Sequence, residues 1–129
     1  MTVPVFPDIE LLLLESLVPL NPSIRFVTVM PAGDPETTTA RIHRISGAAR
    51  NIGADQPIVD IDVFGYKNDT NAVSASARNI QAQVLSFAGN KFTNGVIQHA
   101  FVIAGPRQVP EANPALVRFS ATYEIRVHS

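Results

Sequence analysis

From Val117 to Val127 apolar and polar residues alternate without interruption. Val117, Phe119, Ala121, Tyr123, Ile125 and Val127 take one side; Arg118, Ser120, Thr122, Glu124 and Arg126 take the other. This is the period of a β-strand, whose successive side chains point to opposite faces, and it is incompatible with an amphipathic helix. A lone strand leaves its backbone groups unpaired and its apolar face in water. The chain therefore contains a sheet with one buried face and one face that is wet or at an interface.

The other elements follow from the same kind of reading. Ile9, Leu12, Leu13 and Leu17 recur at helical spacing, with Glu15 and Ser16 outward. Pro7 stands in the first turn, Asp8 and Glu10 suit the positive end of the dipole, and Pro19 and Asn21-Pro22 stop the run. Arg25 to Met30 and Ala40 to Gly47 read as strands, joined by the turn Pro31-Ala32-Gly33-Asp34-Pro35, and Ala48 to Gln56 reads as a polar loop. Pro57 opens the next strand, in which Val59, Ile61 and Val63 alternate with Asp60 and Asp62, and Gly65 marks a bulge or bend. Asp69 or Thr70 caps a second helix over Asn71 to Ala88, with Val73, Ala77, Ile80, Val84 and Phe87 on its core side. Val96 to Ala104 is a further strand, and Gly105 to Pro114 the loop that leads into the terminal one. This order predicts one α+β domain over residues 1–129, a mostly antiparallel four- to five-stranded sheet with two helices packed on it.

Composition narrows the function. The 129 residues suffice for one core. Ten basic residues against eleven acidic give a net charge of -1, with no basic excess to drive phosphate-backbone binding. Only 16% of residues are charged, and eight of the ten basic ones are Arg. Both features suit a surface spent on protein interfaces, where charge is depleted and Arg makes fixed, bidentate contacts. The absence of cysteine removes disulfides and thiolate chemistry. The N-terminus lacks the positive region of a signal peptide, and the longest apolar run, Leu11 to Leu14, is far too short for a membrane span.

The chemistry-bearing residues do not assemble into a catalytic or metal motif. Asp60 and Asp62 share a strand face, as an acid/base or metal pair would, but no third ligand stands near in sequence. They read as a face balanced by arginines of neighbouring strands. His43, His99 and His128 are scattered; His99 falls in register with Ile97, Phe101 and Ile103 and reads as half-buried. No serine lies in a Gly-x-Ser-x-Gly elbow, and the glycines form neither a P-loop nor a dinucleotide fingerprint. A small hydrolase or metal-dependent enzyme using Asp60, Asp62 and His99 stands as the rival from another class, and a free-standing ligand-binding domain as a third reading.

Taken in order, the motifs resemble those of the siphophage tail terminator, or head-to-tail joining, family. Pro7-Asp8-Ile9-Glu10-Leu11-Leu12 resembles its opening helix and Val59-Asp60-Ile61-Asp62-Val63-Phe64-Gly65 its central strand. Ala72 to Leu85 is similar to the Ala/Arg/Val-rich helix that follows. Gly105-Pro106, Asn113-Pro114 and Arg118 to Arg126 are similar to the closing loop and strand. The segment Asp34 to Gly53 matches no family pattern.

The resemblance implies a non-enzymatic virion protein at the tail-head junction, assembled in the host cytoplasm. Such a protein forms a hexameric ring that caps the tail tube, stops its polymerisation and meets the head connector or stopper. DNA passes through the ring without sequence-specific reading. The partners implied are further copies of the chain, the tail tube protein and the connector, with no membrane, metal or cofactor. Another neck protein, for head completion or stopping, is the alternative within the class. The residues assigned to subunit, tail or head contacts are Arg44, Arg50, Asp60, Asp62, Arg78, Arg107, Asn113, Arg118, Glu124 and Arg126. Arg118 and Arg126 are expected to pair with Asp60 and Asp62, within a subunit or across a boundary.

Overall fold

The computed structural model describes residues 6–51 and 54–128, with only the backbone of residues 48–51. Two helices, α1 (Ile9–Leu17) and α2 (Thr70–Ser86), pack on one face of a sheet of six strands. The strands are β1 (Arg25–Val27), β2 (Thr39–Asn51), β3 (Ala54–Tyr66), β4 (Asn90–Phe92), β5 (Gly95–Val109) and β6 (Leu116–His128). They lie in the order β1-β2-β3-β6-β5-β4, in a sheet that curls like half a barrel.

The predicted α+β class and the two helices hold, but the sheet is larger and mixed. β1 pairs parallel to β2, through Arg25 to Thr39 and Val27 to Arg41. The other pairings are antiparallel. β1 ends at Val27, three residues short of the expected Met30, and β4 comes from a stretch that carries no alternating pattern. Strands this short are held by backbone pairing to a neighbour, and side-chain periodicity does not report it.

Two expected loops are strand. The polar stretch after Gly47 continues the β2–β3 hairpin, with Ala48 opposite Gln56, Ala49 opposite Asp55 and Asn51 opposite Ala54. A ladder needs only backbone donors and acceptors, so polar side chains do not forbid it. Gly105 and Pro106 lie inside β5. Proline is tolerated there because it falls in a register shift between Ala104 and Arg107, where Gly105 and Pro106 have no ladder partner on β6, and no strand lies outside β5 at that height among the described residues. The connection to β6 shrinks to residues 110–115.

α1 is capped by Asp8, whose Oδ1 accepts the N–H of Glu10 at 3.0 Å and of Leu11 at 3.3 Å. Pro7 therefore precedes the cap and lies outside the first turn. Leu12, Leu13 and Leu17 are fully buried, worth about 1.5–3 kcal/mol each against exposure. Ser16, expected outward, is buried; its hydroxyl donates to the carbonyls of Leu12 and Leu13 at 2.9 and 3.1 Å. That local bonding satisfies a polar group on the core side of a helix. Asn21 donates to the Leu17 carbonyl at 2.8 Å and to Gln83 Oε1 at 2.7 Å, tying the end of α1 to α2.

The five apolar positions read for α2 are all buried, Phe87 just beyond its last residue. Asp69 stands at the cap without a side-chain hydrogen bond, while Thr70 Oγ1 donates to the Lys67 carbonyl at 2.6 Å. Gly65 marks no bulge. A Cβ there would stand 2.3 Å from Val73 Cγ2, so the glycine lets α2 approach β3. The terminal alternation is realised in full: Tyr123, Ile125 and Val127 are completely buried, and Val117, Phe119 and Ala121 nearly so.

Candidate functional site

The face of the sheet opposite the helices collects most of the residues assigned to interfaces. Register alone builds it. Arg41 stands opposite Asp62, Asp62 opposite Ser120, and Ser120 opposite Arg107, one row across four strands. The next rows carry His43, Asp60 and Thr122, and then Phe64 and Arg118.

The centre of this face is nearly as dry as the core. Asp62 is 3% exposed, Phe64 4% and Ser120 7%, although no helix covers them. Arginine side chains and two loops do. Arg41 Nη2 donates to Asp62 Oδ2 at 2.5 Å. The guanidinium of Arg41 lies 5.7 Å from the Phe64 ring centroid and that of Arg118 lies 5.9 Å from it. Each stacking contributes about 0.5–1 kcal/mol at such half-exposed sites. Met30, Pro31 and Pro35 from one loop, with Glu111 and Asn113 from the other, complete a recess of about 280 Å³ over these side chains. Asn113 Nδ2 latches the loops together by donating to Asp34 Oδ1 at 2.5 Å.

Within the subunit, Arg118 and Arg126 do not pair with Asp60 and Asp62. Asp62 is taken by Arg41, and Asp60 Oδ1 accepts the Thr122 hydroxyl at 2.6 Å. Arg118 faces Phe64 across the ladder instead of an aspartate, and its buried Nε has no hydrogen-bond partner among the described residues. Arg126 stands opposite His99, and its buried Nε likewise has none. Glu124 accepts a hydrogen bond from Gln56 Nε2. Arg107 Nη1 donates to the Ser120 carbonyl at 3.3 Å.

Other assigned residues lie elsewhere. Arg44 is on the helix side of β2, paired to the buried Asp55 with Nη1 to Oδ2 at 3.0 Å. Arg78 is exposed on α2. The side chain of Arg50 lies outside the described residues. His99 is exposed and stacked on Phe101 at 5.8 Å, not half-buried, because a register shift between Ile97 and His99 turns it out of the core row. Sequence reasoning missed Arg41 and Phe64 as members of the surface. Arg41 shares its parity with His43, but nothing in the sequence says which residue of β3 it faces.

Among the described residues, no group of three His, Cys, Asp or Glu side chains is placed to hold a metal ion. No helix among them is long and apolar enough to cross a membrane. The arrangement is a set of charges bonded within the subunit, with the Nε atoms of Arg41, Arg118 and Arg126 buried and without a hydrogen-bond partner among the described residues.

No family model matches the chain, and no curated protein sequence does. Among solved structures, the fold is similar to a chain from the virion of native gene transfer agent (GTA) particle, with a TM-score of 0.63. The two are 12% identical, and the match covers 85% of this chain and 81% of that one. The likeness is one of fold.

Proposed function

We propose that the protein is a virion structural protein, a tail terminator whose ring caps the head-proximal end of the tail tube and joins it to the connector. The observation that carries this reading is the fold shared, over most of both chains, with a component of a virion particle. The ordered resemblance of Pro7–Leu12, Val59–Gly65, Ala72–Leu85 and Arg118–Arg126 to the tail terminator family names the position within the virion. The site fits the task. A ring needs two different patches on each subunit, one for each neighbour, and a further surface for the tube. The arginine-rich face with its recess serves as the tube or connector contact, with Arg41, Arg118 and Asn113 at its centre. A hexamer is the ring size implied by the resemblance.

Deletion of the gene tests the role in the intact system. The expected products are filled heads and abnormally long or uncapped tails, scored by electron microscopy of lysates. Tails of normal length that still fail to join heads would move the protein to another neck position. Normal joined particles would end the proposal.

A further inference from the structure

The four long strands β2, β3, β6 and β5 lie side by side with antiparallel pairing throughout. Because their number is even, the outermost two, β2 and β5, run in opposite directions. Each is covered on its outer side over only a few residues. β1 covers Thr39 to Arg41 of β2, and β4 covers Gly95 to Ile97 of β5. Beyond these, the β2 edge from Ile42 and the β5 edge from Gln98 have no strand neighbour among the described residues.

Among the described residues, exposed apolar side chains lie on both free edges, three on β5 and one on β2. Phe101 is 51% exposed, Val102 40% and Ile103 53% on β5, and Ile45 is 47% exposed on β2. The two sets stand at the same height of the sheet: Ser46 faces Ile58, Ile58 faces Glu124, and Glu124 faces Phe101. Phe101 lies on the charged side, in register with Glu124, while Val102 lies on the helix side, in register with Tyr123. The apolar surface thus wraps both sides of the edge. A partner laid over one face would cover half of it; a strand set alongside would cover both halves. Free, apolar edges of this kind are what proteins ordinarily blunt or pair.

We propose that the free β5 edge of one copy docks along the free β2 edge of the next, so that the antiparallel sheet continues from subunit to subunit. The proposal rests on the ring reading above and names its interface. The occupant is a second copy because each subunit carries one edge of each kind, opposite in direction and matched in height. Such a head-to-tail contact closes into a ring when its rotation permits, and the curl of the sheet supplies rotation in one sense.

The β2 edge is guarded in the single subunit. The Arg44 N–H donates to Glu10 Oε2 at 3.0 Å. That side-chain acceptor stands in for a strand and is exchanged for a backbone bond on docking. Assembly is accordingly concentration-dependent.

The absence of native cysteine makes the test clean. Within one subunit Ser46 and Phe101 are separated by β3 and β6, about 14 Å at ordinary strand spacing, well beyond disulfide reach. Ser46→Cys is combined in turn with His99→Cys, Phe101→Cys, Ile103→Cys or Arg107→Cys, and the full-length proteins are oxidised. The expected result is a ladder of covalent oligomers on non-reducing gels for at least one combination, with each single variant remaining monomeric. Phe101→Asp, at an exposed position, should leave circular dichroism unchanged and raise the concentration for half-assembly by about tenfold or more. Rings by light scattering with no crosslinking combination, or an unshifted Phe101→Asp midpoint, would overturn the edge contact and leave the ring standing. Dimers from Phe101→Cys alone would replace it with a two-fold β5 pairing. Monomers at every concentration would overturn both readings.

Discussion

Tyr123→Ala is expected to cost about 3–5 kcal/mol of folding stability, the range for removing a large aromatic side chain from a packed core. Tyr123 is fully buried, between Val59 on β3 and Val102 on β5, and belongs to the cluster that joins both helices to the sheet. Its hydroxyl has no hydrogen-bond partner among the described residues. Tyr123→Phe is therefore expected to be neutral or slightly stabilising, since it removes an uncompensated polar group and keeps the ring. Burial also pushes the phenol well above its ordinary value of 10.0. A group whose pKa is higher when folded contributes stability that is fully present below the unfolded value and is lost as pH rises through the folded one. Stability should thus begin to fall above pH 10, and Tyr123→Phe should remove that part of the loss. Urea titrations of the three proteins at neutral and alkaline pH read both effects. A Tyr123→Phe loss as large as that of Tyr123→Ala would show that the hydroxyl, and not the ring, holds the core.

The second large effect is on assembly. Arg118→Ala removes a guanidinium stacked over Phe64 whose Nε is buried and unspent. Within one subunit the loss is the stacking alone, about 0.5–1 kcal/mol. Against a carboxylate of a neighbouring chain, loss of one member of a desolvated pair costs about 2–5 kcal/mol per contact, repeated around the proposed ring. The expected outcome is a protein with native circular dichroism that fails to cap tubes. Asp60→Ala serves as the companion. Asp60 already accepts the Thr122 hydroxyl, so its removal should be milder. An Arg118→Ala protein that caps normally would make these charges a solvated face only.

What was legible follows from what side-chain order encodes. The burial of Val117 to Val127, the two helices and the core row Val59, Ile61, Val63 were readable, because period two and period 3.6 report which face meets the core. Register was not. Arg41 meets Asp62, and Arg118 meets Phe64, through the alignment of β2, β3 and β6, and no single strand carries that information. Within the subunit Arg118 does not meet Asp60 or Asp62 for this reason: correct parity does not place two residues opposite one another. His99 failed through a one-residue register shift, which moves a side chain to the other face. Gly105-Pro106 read as a loop because its chemistry is that of a turn, yet inside a register shift of an outer strand the missing N–H takes no bond from the ladder. The same edge, invisible in the sequence, is the feature on which the proposed subunit contact rests.

Negative-stain imaging of the purified protein mixed with tail tubes from a deletion lysate tests the tail terminator assignment most directly. The account predicts closed rings seated at one end of each tube and arrested growth when free tube protein is supplied. Tubes that bind the protein along their length, or that lengthen undisturbed while it remains monomeric, would contradict it.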